Sequence, residues 1–185
     1  MKEFIVYISQ FGNFNQQQVD FISKKAKTLQ LKKGECFWEA GKIPQQIGFL
    51  LEGVIRVYNC DENGKELTRY FIGENNLIAD WEGYKTIFYL QALTDCKLVM
   101  FSRKDWKEIC ATINGWDNTI QKIISKHHLE KLERRSSLIT QDATTRYTEF
   151  LHTFSSLVNR VPLAYVASYL GINQGSLSRI RKNIH

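Results

Sequence analysis

The 185-residue chain has little of what most active sites are made from. Its four cysteines, Cys36, Cys60, Cys96 and Cys110, are scattered, with no Cys-x-x-Cys pair and no neighbouring histidine. Neither a zinc nor an iron–sulfur site is expected from them. The four histidines, His127, His128, His152 and His185, all lie in the C-terminal third, so the first two thirds can supply no catalytic imidazole and no multi-histidine metal set. There is no Ser-His-Asp set, no phosphate-binding loop and no dinucleotide fingerprint. Paired carboxylates such as Asp61–Glu62 and Glu35 with Glu39 fall in apparent turns or at strand ends, where solvated surface explains them. No apolar run is long enough to cross a bilayer, and Phe4–Ile8 is too short for a signal-peptide core. The expectation is a cytoplasmic protein that is not an enzyme and needs no cofactor, metal or membrane.

What is present is an ordinary globular composition, 43% apolar and 24% charged, sufficient for a buried core. The net charge is +6, and its placement is informative. From Arg160 onward there are four basic residues, Arg160, Arg179, Arg181 and Lys182, and no acidic ones. A one-signed segment of this kind suits a polyanion partner.

The hydrophobic pattern divides the chain into three regions. Residues 1–30 read as amphipathic helix, with Phe4, Ile5 and Ile8 in one cluster and Val19, Phe21, Ile22, Ala26 and Leu29 in another. From Leu31 short apolar runs alternate with Gly, Asn and Asp. Strands are expected over Ile47–Leu51, Val54–Tyr58, Leu67–Ile72, Thr86–Leu93 and Lys97–Phe101, closing as a small antiparallel barrel or jelly roll. From Arg103 to Ile139 there is no proline and one glycine, and apolar residues recur at three- and four-residue intervals, which predicts helices. The second of these carries Trp116, Ile120, Ile123, Ile124, Leu129, Leu132 and Ile139. Its stripe drifts to include His127 or His128, so a dimer seam through Ile120, Ile123, Ile124, His127 and Leu132 stands beside simple packing on its own domain. The nearest thing to a linker is Ser136–Asp142.

The strongest local motif runs from Arg160 to Lys182. Pro162 suits a first helical turn, where its missing N–H has no partner to lose. Gly171 can take the left-handed conformation that ends a helix, and Asn173 can cap the next. Val166, Leu170, Ile172, Leu177 and Ile180 are apolar where two crossing helices must meet, with Ala167 small at their closest approach. Two short helices joined by a Gly-containing turn make a helix-turn-helix. At 100° per residue, Gly175, Ser178, Arg179 and Lys182 fall opposite Leu177, Ile180 and Ile184, on the face expected to enter a major groove of DNA. Arg179 suits guanine and Gln174 adenine in a major groove. Ser176, Arg181 and the helix start at Asn173 suit phosphates.

The order of parts resembles the Crp/Fnr family of bacterial transcription regulators across nearly the whole chain. Leu31-Lys-Lys-Gly-Glu, Phe49-Leu-Leu-Glu-Gly-Val-Ile-Arg-Val-Tyr and Asn63-Gly-Lys-Glu-Leu-Thr look like its cyclic-nucleotide-binding jelly roll. Val161-Pro-Leu-Ala-Tyr-Val-Ala-Ser-Tyr-Leu-Gly-Ile and Leu177-Ser-Arg-Ile-Arg-Lys look like its DNA-binding module. The resemblance implies an α+β chain: sensory jelly roll with N-terminal helices over 1–115, dimerisation helix over 116–139, and a winged-helix-like helix-turn-helix domain over 140–185. It implies a homodimer on a near-palindromic site in double-stranded DNA, and contact with RNA polymerase.

In cyclic AMP-binding members a Gly-Glu pair holds the ribose and an Arg-Ser or Arg-Thr pair holds the phosphate. The register set by Asn75-Asn-Leu-Ile and Leu90-Gln-Ala-Leu puts Ala79-Asp80 and Thr86-Ile87 at those places. The phosphate-pairing arginine is absent, and a buried phosphate would lack its bidentate partner. The expected effector is therefore not cyclic AMP: it is unidentified, or there is none. Gly175 departs from a glutamate common in the family, which relaxes reading at one base pair. The competing expectation is a module that binds an effector or partner and no longer binds DNA specifically.

Overall fold

A computed structural model describes residues 1–80 and 83–184, with residues 134–140 described as backbone alone. Its centre is a pair of four-stranded antiparallel sheets. One has the order β1-β8-β3-β6, from Lys27–Leu31, Cys96–Ser102, Gln46–Glu52 and Asn76–Ile78. The other has the order β2-β7-β4-β5, from Cys36–Trp38, Tyr89–Ala92, Ile55–Cys60 and Glu66–Ile72. This is the expected jelly roll with three further short strands, β1, β2 and β6. In β1, Leu29 pairs with Leu98 of β8, so it is not part of the helix read for residues 1–30.

Alternation along the strands sorts side chains between layers. Leu98 of β8 and Leu50 of β3 face inward to the core between the sheets, together with Ile55, Val57, Ile72 and Leu90. Their neighbours Val99, Phe101, Ile47 and Phe49 point outward into a second core, made with helices. Gly48 is required at its place in β3: an added Cβ would come within 2.8 Å of the Phe37 ring. A one-residue slip of β3 would exchange its two faces, so both cores hold the register.

The N-terminal segment forms two helices, α1 (Lys2–Ile8) and α2 (Gln16–Lys25). The break follows from Asn15, which caps α2 in a reciprocal box with Gln18. With α3 (Arg103–Thr112) and the first turns of α4 (Trp116–Thr140), they cover the outer face of the β3–β8 sheet. Phe4 stands against Phe49 and Phe101, and Trp106 against Trp116. Because α4 runs to Thr140, the expected linker shrinks to Gln141 and Asp142. Asp142 caps the next helix, α5 (Ala143–Thr153), by accepting from the Thr144 and Thr145 N–H groups at 2.8 and 3.0 Å.

The C-terminal helices α5, α6 (Leu163–Leu170) and α7 (Gln174–Ile184) form a third core, which is shared with the second sheet. Phe71 of β5 packs against Phe150, Phe154 and Tyr169, with ring centroids 5.7–6.1 Å apart. Val54 and Leu93 join the same cluster.

Candidate nucleic-acid interface and effector cavity

The helix-turn-helix is built as its residues require. Pro162 occupies the N-cap of α6, one position earlier than a first-turn residue, and Gly171 ends the helix at φ +66°. In that conformation the Ile172 N–H reaches back to the Ala167 carbonyl at 3.0 Å, satisfying a group the helix end would otherwise leave open. Asn173 caps α7 through Oδ1, which accepts from the Ser176 N–H at 2.7 Å. Leu177 is fully buried against Val166, Ala167 and Leu170, a burial worth about 2 kcal/mol. The Arg146 guanidinium donates to the Leu170 carbonyl at 2.6 Å, tying α5 to the end of α6.

With Leu177 turned inward, the other side of α7 is free. Asn173, Gln174, Gly175, Arg179, Arg181 and Lys182 are exposed, and Ser176 and Ser178 are partly so. Of the seven side chains expected to face DNA, Gln174, Ser176, Ser178, Arg179, Arg181 and Lys182 lie on α7 and Asn173 caps it. Gly175 has room for a larger residue, since an added Cβ would meet only Asn173 Oδ1, at 3.5 Å.

Between the second sheet and α4 lies a cavity of about 330 Å³. Trp38, Tyr70, Leu90, Ile123 and Ile124 give it apolar walls, and His127, His128 and Lys131 give it nitrogen groups. His127 Nε2 lies 3.0 Å from the Tyr7 hydroxyl, which joins α1 to α4 beside it. Burial, reinforced by the Glu130 charge, pushes that hydroxyl up to about 12, so it is protonated across the physiological range and able to donate. Lys131 sits 5.1 Å from the centre of the Tyr70 ring.

The residues at the cyclic-nucleotide positions do not gather in this cavity. Ala79 alone lines it. Asp80 is held by Arg103, whose guanidinium donates to the Asp80 carbonyl at 3.0 Å and also to Pro44 O. Thr86 is engaged through its backbone with Gly41 and Lys42, and Ile87 is 67% exposed. Among the described residues that line the cavity there is no arginine. A cyclic phosphate, whose charge a guanidinium pairs through two bonds at once, would meet Lys131 and the two imidazoles there instead.

The residues assigned to a dimer seam divide. Ile120 and Ile123 are buried in their own chain's core, Ile124 packs on that core, and His127 faces Tyr7. Leu132 is 52% exposed, and Leu129, which the seam did not include, is 62% exposed. The apolar stripe thus serves the chain's own core in its first half and leaves leucines open in its second.

The sequence reading missed the cavity walls, because Trp38, Tyr70 and Lys131 come from three separate elements and no local spacing joins them. The consecutive pair His127-His128 on a helix was the one available signal.

The chain thus combines a double-sheet jelly roll, a long helix and a terminal helix-turn-helix. Residues 28–113 match the family model of the cyclic nucleotide-binding domain, and the Crp/Fnr resemblance is borne out by solved structures. FixK2 from Bradyrhizobium japonicum superposes with a TM-score of 0.78 at 14% identity, over 86% of this chain and 84% of that one. The c-di-GMP responsive regulator CLP from Xanthomonas campestris gives 0.72 at 16% identity, over 92% and 91%. A putative regulator of the crp/fnr family from Eubacterium rectale gives 0.72 at 16% identity, over 92% and 83%. No curated protein matches the chain by sequence. No helix among the described residues is long and apolar enough to cross a membrane.

Proposed function

We propose that this chain is a sequence-specific DNA-binding transcription regulator of the Crp/Fnr type, acting as a homodimer and not controlled by cyclic AMP. The observation that carries the reading is α7, a helix seated by Leu177 whose free face presents Gln174, Arg179 and Lys182. Arg179 and Gln174 would read base edges, while Ser176, Arg181 and the α7 N-terminus would hold phosphates. Independence from cyclic AMP is supported by Asp80 being occupied with Arg103, and by Ile87 lying exposed away from the cavity.

The test is selection of genomic fragments by the purified protein at moderate salt without added nucleotide, followed by sequencing of the bound DNA. A near-palindromic motif with half-sites about 34 Å apart supports a dimeric reader. The second reading, a module that no longer binds DNA specifically, draws on Gly175, which brings no side chain to the reading face. It predicts no enriched motif, with or without small molecules that raise the melting temperature.

A further inference from the structure

Arg56 lies on β4, and its side chain is 1% exposed. A buried guanidinium is tolerated only when its charge is paired and its N–H groups are satisfied. Here Nε donates to Thr68 Oγ1 at 2.8 Å and another nitrogen pairs with the Glu66 carboxylate, both on β5. These bonds use the edge of the guanidinium. Its plane stacks with aromatic rings: Tyr58 on the same strand at 4.4 Å, and Tyr165, which belongs to α6, at 3.8 Å.

The same edge of the sheet holds α6 in a second way. The Thr68 N–H donates to Ser168 Oγ at 3.0 Å, and the Ser168 hydroxyl lies 3.5 Å from the Glu66 carbonyl. Tyr165 and Ser168 are three residues apart, on one face of the helix. Glu66, Thr68 and Arg56 therefore meet one side of α6, while the free face of α7 remains uncovered.

We propose that Arg56 and Tyr165 form a positioning clamp that fixes the first helix of the helix-turn-helix on the sensory sheet, and so sets the angle at which α7 is presented. The consequence for DNA rests on the DNA-binding reading above; the clamp itself does not. A dimeric reader must hold two recognition helices at the spacing of two half-sites. A loosely held module supplies that order only on binding, at a loss of affinity for the target. Contacts to phosphates from Ser176 and Arg181 stay local to the module, so affinity for random DNA is untouched. Lysine is no substitute for Arg56, because it lacks the plane that stacks and donates along one edge at once.

Three variants of the full chain test this: Tyr165→Leu, Arg56→Lys and Tyr165→Phe. Two readouts apply to each: amide hydrogen exchange over 163–170 and 66–72, and the ratio of target to random-DNA affinity. Tyr165→Leu and Arg56→Lys are expected to speed exchange in α6 by about tenfold and to weaken target binding by about tenfold, with random DNA unchanged. Tyr165→Phe keeps the ring and is expected to match the parent in both. Unchanged exchange in Tyr165→Leu and Arg56→Lys overturns the clamp, as does an equal effect of Tyr165→Phe. Should either disruptive variant fail to fold by circular dichroism, the other decides. If the parent shows no target preference, the DNA-binding reading fails and exchange alone decides the clamp.

Discussion

Arg160 and Glu74, 86 positions apart in the chain, meet at 2.6 Å, and the same Glu74 oxygen accepts the Gly53 N–H at 2.9 Å. The pair joins the sheet domain to the start of the helix-turn-helix. Burial pushes the Glu74 carboxyl up, but the Arg160 hydrogen bond and the backbone N–H bonds outweigh it and hold the group below its ordinary value. A carboxyl depressed in the folded state adds stability above its unfolded pKa and loses it as pH falls through the folded one. Glu74→Gln is therefore expected to lower stability by about 1 kcal/mol at neutral pH. The deficit should close as pH falls below about 4.5, which thermal melts of both proteins from pH 7 to 3 measure.

Arg179→Ala is expected to abolish preference for the target over random DNA, a loss of about 1–3 kcal/mol per site contacted. The side chain is exposed, so the melting temperature should hold. Competitive binding titrations check the first, and retained preference removes Arg179 from base reading.

Gly175→Glu should be accommodated, because the only atom near an added Cβ is Asn173 Oδ1 at 3.5 Å. Replacing glycine in a helix stabilises it by up to about 1 kcal/mol, and a carboxylate in the first turn complements the helix dipole. Base preference should sharpen toward cytosine at one position per half-site, as read by selection from a randomised pool.

Cyclic AMP at millimolar concentration is expected to leave the melting temperature unchanged. A ligand present at 100 times its Kd stabilises by about 2.7 kcal/mol, which a thermal-shift assay detects. A clear rise would overturn the expectation that cyclic AMP is not the effector.

Two leucines on α4 provide the assembly test. Leu129→Arg with Leu132→Arg should give a monomer by sedimentation while preserving the fold, since both side chains are more than half exposed. Ile123→Ala, by contrast, removes a side chain that is 1% exposed and should cost about 2–5 kcal/mol of fold stability.

The helix-turn-helix was legible in the sequence because its rules are local: Gly171 must turn, Asn173 must cap, and Leu177 must be buried a few residues on. The longer strands were equally plain in their alternation. Strands β2 and β6, at three residues each, are too short to show a period. The stripe on α4 left a seam and packing on its own domain both open, because periodicity reports that a face is covered and not by what. Ile120 and Ile123 belong to the same buried core as Trp106 and Phe101 of their own chain. The stacking of Arg56 on Tyr165 joins residues 109 positions apart, a distance over which no local pattern extends.

Phe71 borders the cavity beneath α4 and also packs on Phe150, Phe154 and Tyr169 of the C-terminal helices. The cavity and the buried core of the helix-turn-helix module are thus separated, along this route, by the thickness of a single benzyl ring. One buried side chain is wall to the first and packing to the second.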